Sequence, residues 1–125
     1  MSKFNYFTDA EVVGLDNELC AMLDKARHRS MVPYVITSGL RTTQTNTDPN
    51  AAKDSAHLTG HAVDLDCNDS RALWRMIDGL MFAGFKRIGI YFKVGPDGKG
   101  AVPTHVHVDN DISKPQEVCW LTREL

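Results

Sequence analysis

The residues whose types could do chemistry gather in two stretches. One is Ser55-Ala56-His57-Leu58-Thr59-Gly60-His61-Ala62-Val63-Asp64, the other His105-Val106-His107-Val108-Asp109. Two imidazoles and a carboxylate suit a borderline-soft divalent ion such as zinc. His57 and Asp64 lie too far apart for the i, i+4 pair of a metal-binding helix. A loop residue followed by a strand residue fits better, with Gly60 turning the chain between them. A strand from His61 to Asp66 puts Ala62, Asp64 and Asp66 on one face and turns His61 away. The same alternation groups His105, His107 and Asp109 on a second strand. If the two strands are neighbours, Asp64 meets His107 and the loop brings His57 to both. A single zinc held by His57, Asp64 and His107 has an open fourth position, the catalytic form of such a site. A lone histidine is ordinarily a surface or hydrogen-bonded residue, but here glycine turn, carboxylate and strand pair all fit one geometry.

Taken together, Ser55-x-His57-x-x-Gly60-x-Ala62-x-Asp64 and the distal His105-x-His107 resemble the zinc peptidases that cleave peptidoglycan peptides. These are the D-Ala-D-Ala carboxypeptidases and the phage-type L-alanyl-D-glutamate endopeptidases, related in fold to the amino-terminal domain of hedgehog proteins. Ser38-Gly39-Leu40-Arg41 matches the family's Ser-Gly-x-Arg element, and Gly89-Ile90-Tyr91 matches the stretch before the last metal-bearing strand. The resemblance implies hydrolysis of a peptide bond in a stem or cross-linking peptide of the wall. It also implies substrate contacts from Arg41, Ser55 and Tyr91. Arg41 can bind a carboxylate bidentately or stabilise an oxyanion.

A general base is needed within hydrogen-bond reach of the reacting water. His105 is the candidate, because it shares a strand face with His107. In one respect the chain departs from the family: many members carry Asp or Glu three residues before the final ligand, and here that position is Thr104, so either His105 takes the role of base, or Asp109 or another acid does, or catalysis is weak. The rival from another class is a zinc-bearing binding or virion structural module without turnover, as in hedgehog domains. A metal hydrolase acting on a non-wall amide is a third reading.

The elements that must position these residues follow from periodicity. Thr8-Asp9-Ala10-Glu11 has the capping-box pattern, and Val12, Leu15, Leu19, Met22, Leu23 and Ala26 recur at helical spacing. They predict a helix over about Asp9 to Arg29. Tyr34 to Thr37 is a short β-branched strand that delivers Arg41 beyond its end. Thr42 to Asp54 is a turn-rich loop. A second helix is predicted over Ser70 to Ala83, with Trp74 as packing. Phe85–Phe92 and Thr104–Asp109 are predicted as a hairpin, with Gly89 marking a bulge or a close approach of backbone to something bound. Gln116 to Leu125 is predicted as a short helix that packs through Val118, Trp120 and Leu121. This order predicts an α+β domain with a small antiparallel sheet flanked by helices.

At 125 residues the chain reads as one domain, 1–125. Its formal net charge of -2 provides no basic field for nucleic acid or anionic lipid. No apolar run is long enough to span a membrane, and the first residues lack the apolar core of a signal peptide. The three cysteines, Cys20, Cys67 and Cys119, are scattered and read as reduced thiols, with Cys67 a buried bystander. The expectation is a monomeric protein made in a host cytoplasm without a signal. It acts on the wall after release, as an endolysin does, or is carried in a virion.

Overall fold

The computed structural model describes residues 3–38 and 59–124. The predicted loop over Thr42 to Asp54 lies outside them. Seven elements follow in order: α1 (Asn17–Ser30), β1 (Ile36–Ser38), β2 (Ala62–Asp66), α2 (Ser70–Phe82), β3 (Arg87–Val94), β4 (Ala101–Asp109) and β5 (Val118–Arg123). The strands form one sheet in the order β1-β2-β4-β3-β5. Neighbours are antiparallel except for β5, which runs parallel to β3 at the edge.

The α+β class is as predicted, but two elements differ from expectation. The Thr8–Glu11 capping box forms, with Glu11 N–H donating to Thr8 Oγ1 and Thr8 N–H to Glu11 Oε1, yet it closes only a turn. Gly14 adopts φ +78°, and Asp16 caps the true helix by accepting from Leu19 N–H at 3.0 Å. The apolar repeat runs through this break because Val12 and Leu15 still pack on the core beside the helix. The second difference is that Val118–Arg123 is a strand and not the predicted helix. Its residues alternate between half-buried and exposed, and it pairs with the edge of β3, whose backbone groups otherwise lack partners on that side. The sheet is therefore mixed, not purely antiparallel.

Both helices lie on one face of the sheet. Leu19, Leu23 and Ala26 of α1 and Met76 and Leu80 of α2 pack on Val63, Leu65, Ile88, Val106 and Val108. Gly79 lets the helices touch: a Cβ there would strike Ser30 Oγ and Ala26 O. Trp74, expected to pack, is instead 78% exposed. Cys20 and Cys67 are buried and Cys119 exposed, and burial pushes the Cys20 and Cys67 thiols up, away from reactive thiolate. No described helix is long and apolar enough to cross a membrane. The odd-numbered residues of β2 and the even-numbered valines of β4 thus fill the core. Alternation leaves Asp64, His105, His107 and Asp109 for the opposite face.

Candidate metal centre

On that opposite face β2 and β4 are adjacent, with Asp64 directly across from His107 and Asp66 across from His105. His107 Nδ1 lies 3.2 Å from Asp64 Oδ1, and its Nε2 lies 2.7 Å from Asp109 Oδ2. Burial opposes a charge on His107, but Asp109 and Asp64 outweigh it and hold its pKa above the usual histidine value. The imidazole therefore keeps both protons readily while it bridges two carboxylates.

Asp109 is only 1% exposed and takes several donors. Arg87 Nε donates to its Oδ1 at 2.8 Å, and Asp111 N–H donates to the same oxygen at 3.2 Å. Arg87 Nη1 is held in turn by the carbonyl of Pro115 at 2.7 Å. A carboxylate so enclosed is an orienting group for His107 and has no face left for a reacting water.

These positions suit a tetrahedral divalent ion. With metal–nitrogen and metal–oxygen bonds near 2.0–2.2 Å, tetrahedral ligand atoms stand about 3.3–3.5 Å apart. The observed 3.2 Å between Nδ1 and Oδ1 is close to that edge. The bond from Nε2 to a buried carboxylate is the usual outer support of a ligating histidine, since it leaves Nδ1 with the lone pair once its proton is displaced. Among the described residues no group of three such side chains converges as a complete metal set. His57, the third expected ligand, lies outside the described residues, as do Ser55 and Arg41. His61 faces elsewhere: its Nδ1 is 2.9 Å from Thr59 Oγ1, and its Nε2 faces Asp16 at the start of α1.

His105 lies on the same strand face as His107. Its ring stacks on Tyr91, with centroids 4.2 Å apart and planes 16° apart. The other wall is Trp120 of β5, centred 5.5 Å from the His107 ring, with the Arg87 guanidinium 5.1 Å over its indole. Trp120 explains Gly89, which sits between them in the sheet: a Cβ there would come within 2.5 Å of the indole. The close approach expected at Gly89 is therefore made by the protein's own tryptophan. Reading 116–125 as a helix concealed Trp120. The period-two pattern Val118, Trp120, Thr122 was the signal for it.

No curated protein and no solved structure matches the chain. The family model described as Peptidase M15 matches residues 2–109, which takes in α1, the Asp64 strand and the His105-x-His107 strand. The chain belongs to the peptidase M15 family, and with it to the metallopeptidases.

Proposed function

We propose that the protein is a zinc-dependent peptidase of peptidoglycan stem or cross-linking peptides, of the D-Ala-D-Ala carboxypeptidase or L-alanyl-D-glutamate endopeptidase type. The observation that carries this reading is the pairing of Asp64 with His107, backed by Asp109, on the sheet face opposite the helices of an M15 chain. His57, Asp64 and His107 are the residues to hold one zinc. When bound, the ion supplies Lewis acidity to water and to the scissile carbonyl at neutral pH.

The chain's own residues supply the rest. Asp109 and Arg87 fix the ring of His107 so that Nδ1 faces Asp64. His105 is the candidate to accept the proton of the attacking water and return it to the leaving amine. Tyr91, stacked on His105, and Trp120 give the face two aromatic surfaces against which a peptide can lie. Arg41 and Ser55 are assigned to substrate, with Arg41 suited to a carboxylate of the stem peptide. The chain works as a monomer on a wall substrate, released from a host cell as a phage endolysin or carried in a virion.

The test is digestion of purified peptidoglycan by the zinc-loaded protein, with new amino groups counted and the fragments identified by mass spectrometry. New amino termini at one bond type, abolished in His107→Ala, are expected. A zinc-loaded protein that releases none would support the non-catalytic binding or virion module instead.

A further inference from the structure

Glu124 follows β5 and lies beyond the residues that the family model matches. Its backbone N–H donates to the carbonyl of Phe92 at 2.7 Å, which ties the residue after β5 to β3. Alternation along β5 puts Glu124 on the face of Trp120 and Thr122. There Thr104 Oγ1 donates to Glu124 Oε1. The same carboxylate oxygen is 3.2 Å from His105 Nδ1. The position where related enzymes carry an acid thus holds a hydroxyl, and that hydroxyl grips a carboxylate arriving from another strand.

The geometry points to Glu124 as the positioning residue of His105, fixing its tautomer and ring orientation; this rests on the reading of His105 as the base. A neutral imidazole carries one N–H and one lone pair. A carboxylate at Nδ1 selects the Nδ1–H form and leaves the lone pair on Nε2. Tyr91 covers one side of the ring and opposes a flip that would exchange the nitrogens. Glu124 is 42% exposed and would otherwise sample several rotamers; the Thr104 hydroxyl and the Phe92 carbonyl hold it in place. Thr104 Oγ1 also lies 3.5 Å from His105 Nδ1, so this hydroxyl, which cannot be a base, joins the Glu124 carboxylate to the imidazole.

The test compares Glu124→Ala, Glu124→Gln and Thr104→Val with the unaltered protein, each loaded with zinc. The Gln oxygen can still accept from Thr104 and keep its place beside His105 Nδ1, so this variant should behave nearly as the original. Glu124→Ala should keep its zinc content and KM on purified peptidoglycan while kcat falls roughly 10- to 100-fold. Thr104→Val should fall between. Imidazole 15N shifts, read in metal-free and zinc-loaded protein, should show His105 as Nδ1–H in the original and Glu124→Gln, and mixed tautomers in Glu124→Ala. An unchanged tautomer in Glu124→Ala overturns the inference whatever the activity. Glu124→Gln as inactive as Glu124→Ala also overturns it, by making the carboxylate itself the reacting group. His105→Ala is the control for the underlying reading: full activity there removes His105 as the base, while the tautomer measurement still decides what Glu124 does to the ring.

Discussion

Replacing Asp109 by Asn keeps the shape of the side chain and removes its charge, and the surroundings dictate how the amide settles. Oδ1 accepts from both Arg87 Nε and Asp111 N–H, so the amide oxygen must take that position. The NH2 group then occupies the Oδ2 position, 2.7 Å from His107 Nε2. It can only donate there, which forces Nε2 to accept and moves the ring proton to Nδ1. That is the atom facing Asp64 at 3.2 Å, and a protonated nitrogen cannot ligate. Zinc affinity should fall about 10- to 100-fold, as for other changes to the outer support of a metal ligand. That corresponds to roughly 1.4–2.7 kcal/mol. The fold should survive, because Arg87 keeps a neutral acceptor and loses only the charge-assisted part of its bond, roughly 1–2 kcal/mol. Competition against a chromophoric zinc chelator gives the affinity, circular dichroism the fold, and 15N shifts of the imidazole the tautomer. A folded Asp109→Asn protein that binds zinc as tightly as the original would refute the assigned role of Asp109.

His105→Ala should keep its zinc and lose on the order of a hundredfold or more in turnover on wall peptides, whereas His107→Ala should lose both; metal analysis beside peptide mass spectrometry distinguishes them. Gly89→Ala should push Trp120 off the sheet and cost roughly 1–3 kcal/mol, visible as a lower urea midpoint and a shifted tryptophan emission. Tyr34 is buried with its hydroxyl 2.5 Å from Ser30 Oγ, and burial pushes its pKa up to about 12 from 10. The folded protein thus holds the phenol proton more tightly than the unfolded chain. The stability this confers is complete below pH 10 and disappears as pH rises towards about 12. Urea midpoints at pH 9 and pH 11.5 should fall further in the original protein than in Tyr34→Phe, and parallel losses would remove Tyr34 as the cause.

Sequence alone was enough to put Asp64 and His107 on strand faces turned away from the core, because period-two alternation admits few arrangements once one face of a strand is apolar; their direct pairing came with the strand register. Val63 and Leu65, and Val106 and Val108, must enter the core, so their neighbours must face away from it. The M15 family was legible for the same reason: its motifs are local runs whose order along the chain survives any error in element boundaries. The start of α1 was misread because a real capping box and a helical apolar repeat both continue through Gly14. Nothing local reveals that Asp16, whose own N–H bonds the carbonyl of Gly60, is the residue that caps the helix. The last segment was misread because a ten-residue run with mixed propensity takes its structure from what it meets. The open edge of β3 and the space above Gly89 made it a strand. That decision, which belongs to tertiary packing, brought Trp120 beside His107 and Glu124 beside His105, contacts between residues distant in the chain that no spacing rule encodes.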